Sequence, residues 1–344
     1  MLMASMFALS PSTPGTPGNP GSPGDPGDGP GDNPGTPATP LTHEESARFL
    51  AQATLGASRA DIEALTSKGL ATWLNEQFAM PVSMRLVDWL YAKGLDAEEF
   101  RFSQRGLDNA LWRTLITSPD ALRQRVALAL SEICVASVLG VDSSYRQFAL
   151  AYYYDILQTH AFGNYRQLLE DISLSPAMGY YLTYRGNSKA NPKTGSQPDE
   201  NYARELMQLF TIGLVQLRAD GTPVVNNGQF VETYRSDDVM GLARVFTGWD
   251  LDTAGLSKPY PAAQMCRPMA QVASRYETGA KQFLGTTIPE GTDALAALRR
   301  ALDALFVHPN VPPFISRQLI QRLVTSNPSG GYVARVAAVF ANNG

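Results

Sequence analysis

The chain has 344 residues, of which 44% are hydrophobic and 17% are charged, and its formal net charge is −4. This composition is typical of a globular protein with a large apolar core. Three negative charges (Asp25, Asp28 and Asp32) lie in the first forty residues, which contain no lysine or arginine. The rest of the chain is therefore nearly neutral, which excludes the basic surface of a nucleic-acid-binding protein. No apolar run reaches the roughly 18 residues that indicate a transmembrane segment.

Residues 1–40 differ in composition from the rest of the chain. Residues 1–10 are apolar and resemble the end of a signal sequence, without a basic n-region or a lipobox cysteine. Residues 11–40 are almost entirely Pro, Gly, Asp, Ser, Thr and Asn, so they have little apolar surface to bury and predict a disordered tether. This arrangement predicts an exported protein, whether periplasmic, cell-surface or secreted. The alternative is a cytosolic protein with a disordered arm.

Residues 41–344 are predicted to form one helical domain. Capping boxes at Thr42–Glu45 and Ser58–Asp61 begin the first two helices. Further helices are predicted over 70–78, 83–93 and 97–117, from Ser118, from Asp142 or Ser143 to His160, and over 164–174, 199–212, 237–246, 293–306, 314–324 and 332–340. Between them, 215–218 and 222–225 flank Asp220-Gly221, and Asn227-Gly228 follows, which indicates a hairpin. The predicted fold class is all-α, a multihelical globular domain with one small β-hairpin insertion.

The chain contains two cysteines, Cys134 and Cys266. Cys134 lies within an apolar helical run, where a buried free thiol is the expected state. Cys266 lies in a segment without helical periodicity. A bridge between the two in an oxidising compartment is the alternative, because pairing is not readable from the sequence.

Several segments together resemble a bacterial family known as domain of unknown function 1800. They are ARFLAQATLGASRADIEAL and WLNEQF within Ala47 to Phe78, LRQRVALALSEI from Leu122, HAFGNYRQLLEDISLSPAMGYYL from His160, PDENYARELMQLFTIGL from Pro198, DDVMGLARVFTGW from Asp237 and GAKQFLG from Gly279. The resemblance covers the chain from about Leu41 onward. It implies a large, mostly helical, exported bacterial protein without an established activity.

The same resemblance implies a partner encoded by a neighbouring gene. Proteins of this family are often encoded beside members of a second family, domain of unknown function 1501, which is similar to the alkaline phosphatase and sulfatase superfamily. Two departures from the family are visible. Tyr276-Glu277 stands where relatives tend to have a histidine, so no metal or acid/base role is expected there. The chain ends at Asn343-Gly344, where similar proteins continue, so we expect an incomplete C-terminus.

The segment 199–212 contains the candidate catalytic residues. Glu200, Arg204 and Glu205 form a polar stripe on a helix that is otherwise largely apolar. If this helix is buried, its charges must be paired, and Asp238 and Arg244 on the next helix are the expected partners. The functional interpretation is an acid/base or substrate-clamping cluster of Glu200, Arg204, Glu205 and Asp238. The structural alternative is an ion-pair network in which Glu200 and Arg204 form an ordinary helical pair.

Candidate binding residues lie around this stripe. They are Asn201, Arg244, Lys189, Lys193 and Trp249. The two lysines belong to a polar loop that leads into a helix N-terminus, where backbone N–H groups bind anions, although a plain surface loop is an equal alternative. The three histidines lack metal-ligand spacing, and no phosphate loop or serine elbow is present, so we expect no metal and no cofactor.

Two functions remain open. The favoured one is a binding or scaffold module that works with a phosphatase- or sulfatase-like partner of the family of unknown function 1501, because no recognised catalytic motif is present. The alternative is an extracytoplasmic enzyme that uses the carboxylate/arginine cluster on a polymer or a polar metabolite. A cleft that joins the helix starts at Asp199 and Ser236 would favour the enzyme. A flat apolar patch would favour the scaffold.

Overall fold

The computed structural model describes residues 40–343. The signal-like start and all but the last residue of the predicted tether lie outside this range. The described residues form fourteen α-helices and six short strands. The helices are α1 (His43–Ala53), α2 (Arg59–Lys68), α3 (Leu70–Ala79), α4 (Leu86–Ala92), α5 (Leu107–Thr117), α6 (Ala121–Ser131), α7 (Arg146–His160), α8 (Tyr165–Ser173), α9 (Pro176–Tyr181), α10 (Asn201–Gln208), α11 (Ser236–Ala243), α12 (Ala294–Phe306), α13 (Val311–Leu323) and α14 (Gly330–Asn343).

The strands form three antiparallel pairs. They are β1 (Val225–Asn226) with β2 (Gln229–Phe230), β3 (Trp249–Asp250) with β4 (Ala270–Gln271), and β5 (Lys281–Phe283) with β6 (Thr286–Ile288). The predicted all-α class is confirmed, with two strand pairs beyond the predicted hairpin. That hairpin forms around Asn227-Gly228, while the turn at Asp220-Gly221 is closed by a single bridge between Leu217 and Pro223.

The first two predicted helix starts are confirmed. The Thr42 side chain accepts a hydrogen bond from the Glu45 N–H at 3.2 Å, and the Glu45 carboxylate accepts one from the Thr42 N–H at 2.9 Å. Ser58 and Asp61 form the same reciprocal pair. Each box satisfies N–H groups that have no partner within the helix, so these positions fix where α1 and α2 begin.

Several predicted helices are shorter in the structure, and two of them by the most. The helix predicted over 97–117 begins only at Leu107, because Gly106 adopts φ 87° and packs so closely on Leu95 that a Cβ would lie 2.2 Å from its Cδ1. The helix predicted over 199–212 covers Asn201–Gln208. It ends where the Thr211 hydroxyl donates to the Leu206 carbonyl at 2.6 Å and Gly213, at φ 70°, turns the chain away.

Helix α7 is the centre of the core. It packs against α4, α6, α8 and α9, and most of its side chains are buried. Cys134, just beyond α6, is a buried free thiol as predicted, and burial raises the pKa of this thiol to about 12. Cys266 is also free, so the alternative of a bridge between the two is not what the structure contains.

Helix α11 lies directly on strand β5. A Cβ at Gly241 would lie 1.7 Å from the carbonyl oxygen of Gln282, so only glycine permits this contact. The sequence predicts a close approach by another helix at Gly241, whereas the neighbour is a strand. The contact fixes one wall of the site described next.

Candidate functional site

A surface cleft with a volume of about 760 Å³ lies between the start of α10, one side of α11 and the segment that leads into β5. We call it the α11 cleft. Its charged lining residues are Glu200, Asp237, Arg244 and Glu277. The polar loop before α10 contributes Ala190 and Gln197 to its wall. The cleft thus joins the two helix starts that the sequence singles out, and its volume lies in the range of small-molecule sites.

The carboxylate of Glu277 is held in place by neighbouring groups. One of its oxygens accepts a hydrogen bond from the Gly279 N–H at 2.8 Å, and the other lies 3.5 Å from Nη2 of Arg244. Burial acts to raise the pKa of Glu277, but these two partners outweigh it and the pKa lies below its ordinary value. The cleft therefore presents an ionised carboxylate at neutral pH.

Lys281 lies fully buried beside this carboxylate. Its Nζ donates to the Gly279 carbonyl at 3.1 Å and lies 4.7 Å from the centroid of the Tyr276 ring. Burial lowers the pKa of Lys281, opposed by the nearby Glu277. The ammonium group of Lys281 thus stabilises the 277–279 turn through its hydrogen bond to the Gly279 carbonyl and its contact with the Tyr276 ring.

Glu277 and Lys281 are absent from the predicted site residues. The replacement of the family's histidine at 276–277 argues against an acid/base role there, whereas the structure places the Glu277 carboxylate in the cleft. Tyr276 instead points away to donate to the Thr292 carbonyl at 2.9 Å. This part of the site could have been predicted from the family-like segment GAKQFLG, because the segment begins two residues after Glu277 and contains Lys281.

The predicted unit of the α10 stripe with Asp238 and Arg244 does not form. Arg204 and Glu200 form an ion pair at 3.0 Å, with side chains 44% and 35% exposed. This is the ordinary helical pair of the structural alternative. Arg204 and Glu205 both lie near Tyr234, whose pKa is raised by burial; Arg204 opposes this rise and Glu205 adds to it. Arg244, which we expect to contact Glu205 or Asp238, pairs with Glu277 instead.

Asp238 has a structural task. One of its carboxylate oxygens accepts from the Arg235 N–H at 2.8 Å, and the other accepts from the Leu284 N–H at 2.6 Å. The side chain thereby caps α11 and ties it to the β5–β6 turn. Because both oxygens are engaged by the backbone, Asp238 fits the role of an anchor better than that of a catalytic acid.

The remaining candidates lie apart from the charged wall of the cleft. Lys189 and Lys193 have exposed side chains on the polar loop. Asn201 opens α10, where its backbone N–H donates to Asp199 at 2.8 Å. Trp249 is 4% exposed and packs in the core as part of β3, so it does not form a binding surface.

A second cleft adjoins the first. It has a volume of about 920 Å³, and we call it the hairpin cleft because β2 forms part of its wall. Asp237 lines both clefts. The other side chains of the hairpin cleft include Phe230, Glu232, Tyr234, Arg235 and His308. Burial lowers the pKa of His308, so this imidazole is neutral at pH 7.

The fold and the two clefts define an all-α domain with a polar surface depression. The sequence model of the family described as "Protein of unknown function (DUF1800)" matches residues 48–344, so the chain belongs to this family, as the resemblance predicts. No curated protein and no solved structure matches the chain. None of the helices within residues 40–343 is both long and apolar enough to cross a bilayer.

Proposed function

We propose that this domain is a binding module whose α11 cleft takes a polar ligand that carries hydroxyl or ammonium groups. A cleft that joins the α10 and α11 starts favours the enzyme over a flat scaffold surface, so the enzyme is kept as the second candidate. The observation that supports binding of such a ligand is the set of charged side chains on the cleft wall. There, three carboxylates (Glu200, Asp237 and Glu277) face the ligand space together with one guanidinium, that of Arg244. Carboxylates only accept hydrogen bonds, so they select ligands that donate them. Arg244 adds a donor for a ligand oxygen.

The setting of the module is part of the proposal. The Pro/Gly-rich composition of residues 11–40 and the family resemblance support export to the periplasm, the cell surface or the medium. The resemblance also supports work beside a phosphatase- or sulfatase-like partner of the family of unknown function 1501. Fractionation of the native cells tests export, since recovery of the protein in the cytosol alone contradicts it. Co-purification of the two proteins when expressed together tests the partner.

Titration calorimetry with two matched sugars tests the cleft. Glucosamine supplies hydroxyl groups and an ammonium group, whereas glucuronate supplies hydroxyl groups and a carboxylate that the acidic wall repels. We expect glucosamine to bind and glucuronate not to bind. The Glu277→Gln variant is expected to weaken glucosamine binding about tenfold, or about 1.4 kcal/mol, because it removes a charged acceptor.

Glu63→Gln is the matched control. Glu63 pairs with Arg59 on the exposed surface of α2 and lines neither cleft. This variant should bind glucosamine like the unaltered protein. If Glu277→Gln and Glu200→Gln both bind every probe as the unaltered protein does, the α11 cleft is not the binding site.

A second candidate function is an enzyme that acts within the same cleft. It is favoured by two carboxylates that come from different elements, Glu200 at the start of α10 and Glu277 before β5, with Arg244 beside them. An ionised Glu277 suits a general base or a nucleophile. The test is release of nitrophenol from a 4-nitrophenyl glucosaminide. Release that Glu277→Gln abolishes and Glu63→Gln preserves supports the enzyme, and binding without release supports the binding module.

A further inference from the structure

We propose that the α11 cleft and the hairpin cleft are two halves of one trough that binds a sugar chain, most tightly when the chain carries amino groups. This inference rests on the proposed function and adds the class of ligand. The two clefts meet at Asp237, which lines both. Helix α11 runs along them and is flanked by Arg235 in the hairpin cleft and by Arg244 in the α11 cleft.

The length of the trough exceeds that of a single small ligand. Helix α11, whose eight residues separate Arg235 from Arg244, is about 12 Å long at a rise of 1.5 Å per residue. Each cleft alone has the volume of a site for a drug-sized molecule, at about 920 Å³ and 760 Å³. An elongated ligand that bridges Asp237 contacts both walls, and each further unit then binds as an intramolecular step.

The charge of the trough selects among polymers. Its walls carry the five carboxylates of Glu200, Glu232, Asp237, Asp238 and Glu277 against the two guanidinium groups of Arg235 and Arg244, a net charge of −3. Such a surface repels nucleic acids and other polyphosphates, whose binding requires neutralisation of their phosphates. It attracts hydroxyl and ammonium donors.

The hairpin cleft adds an aromatic surface to these acceptors. Phe230 on β2 is 63% exposed although it is apolar. Tyr234 is half-buried on the same wall, and its hydroxyl donates to Gln208 at 3.3 Å, which fixes the ring. A pyranose ring has a face of C–H groups and a rim of hydroxyls, so it fits an aromatic face flanked by carboxylates. The negative face of the aromatic ring attracts the polarised C–H groups.

The backbone around Phe230 is well anchored. The Val231 N–H donates to Val224 at 3.1 Å, and the Val231 carbonyl accepts from Gln216 at 2.8 Å. The Thr233 hydroxyl donates to the Gly213 carbonyl. The exposed ring is therefore presented by a fixed segment, so its position is pre-organised for a ligand.

Calorimetry with three probes tests the trough. They are glucosamine, its β-1,4-linked tetramer and tetralysine, each titrated into the unaltered protein and into Phe230→Ala. We expect the tetramer to bind at least about tenfold more tightly than glucosamine. Phe230→Ala should remove most of this gain, while the affinity for glucosamine should change much less, because the carboxylates of the α11 cleft remain. Phe102→Ala is the matched control, because Phe102 is 75% exposed and lines neither cleft.

The outcomes separate the two proposals. Equal affinity for monomer and tetramer, or equal effects of Phe230→Ala and Phe102→Ala, overturns the trough while the α11 cleft stands. Tight binding of tetralysine with no binding of the sugar tetramer also overturns it, in favour of a cationic peptide. Loss of the tetramer's advantage in Phe230→Ala, with glucosamine binding still sensitive to Glu277→Gln, supports both proposals.

Discussion

Charged side chains are used differently in the helical region (α1–α9) and in the region around the trough (residues 186–291). In the helical region, carboxylates bind other parts of the fold. Glu170, for example, accepts from Arg166 and Arg299 at 2.8 Å each and so joins α8 to α12. Around the trough, Asp250 is bound in the same way by Arg185 and Arg275 at 2.7 Å each, but Glu200, Asp237 and Glu277 line a cleft. The first arrangement stabilises the fold, and the second leaves hydrogen-bonding capacity for a ligand.

The two regions also differ in how their backbones are built. The helical region contains nine α-helices, whereas residues 186–291 contain two, α10 and α11, together with all six described strands. The trough region relies on two-stranded pairs and on side chains that bridge loops. We therefore expect changes in the helical region to act on stability. In the trough region, anchor residues should affect stability, and residues that face the clefts should affect binding.

The largest expected effect concerns Asp155 in the helical region. Its carboxylate is buried and accepts from the Leu86 N–H at 2.7 Å and from the Val87 N–H at 3.2 Å. Burial raises its pKa to about 7, partly opposed by these two donors. The folded protein therefore holds this proton more tightly than the unfolded chain. The resulting stabilisation is fully present below pH 4 and is lost as pH rises through 7.

Asp155→Asn removes this dependence. Between pH 4 and pH 8, the free energy of unfolding of the unaltered protein should fall by about 4 kcal/mol relative to that of the variant. Urea unfolding across this range measures the difference. Glu63→Gln, on the surface, should show no such trend. A constant difference between Asp155→Asn and the unaltered protein would mean that Asp155 is ionised throughout, and the helical region would then hold a buried charge.

Gly241→Ala should have the next largest effect. The added Cβ would meet the Gln282 carbonyl at 1.7 Å, and a backbone atom of β5 cannot rotate away. We expect the free energy of unfolding, measured with urea, to fall by about 3 kcal/mol, although alanine has the better helix propensity. Gly331→Ala in α14 is the control, since its nearest neighbour is the end of the flexible Arg335 side chain at 3.8 Å. Equal stabilities of the two variants would show that α11 and β5 are loosely packed.

Asn310→Ala tests an anchor of the loop that leads to the hairpin. The buried Asn310 side chain donates to the carbonyls of Ile212 and Val215 at 2.8 and 2.7 Å and accepts from the Leu217 N–H at 2.8 Å. Alanine leaves these three backbone groups without a partner, so we expect the free energy of unfolding to fall by about 2 kcal/mol. Asn164→Ala, which removes one exposed helix-cap bond, should cost about 1 kcal/mol. A smaller loss for Asn310→Ala than for Asn164→Ala would contradict the assigned role.

The separation along the chain between interacting residues decides which features can be predicted from the sequence. The starts of α1 and α2 follow from capping boxes, which act within four residues. The sequence predicts that Arg244 pairs with Glu205 or Asp238, which is wrong. Its pairing with Glu277 is not predictable, because 33 residues separate the two and only the position of β5 brings them together. The anchoring role of Asn310 could not be predicted for the same reason, since its partners lie about 95 residues away in the sequence.

The smallest expected effect belongs to the Glu200–Arg204 pair, and it separates the two uses of charge within one helix. If these residues formed a buried unit, removal of either partner would cost several kcal/mol. The side chains are instead about 40% exposed and four residues apart on α10, so water screens their attraction. A double-mutant cycle of Glu200→Gln and Arg204→Met should give a coupling free energy of about 0.5 kcal/mol or less.

Glu200→Gln should nevertheless weaken glucosamine binding, whereas Arg204→Met should not, because Glu200 is the partner that lines the α11 cleft. A coupling above about 1 kcal/mol, or equal effects of both variants on binding, would place the pair among the structural charges of the helical region.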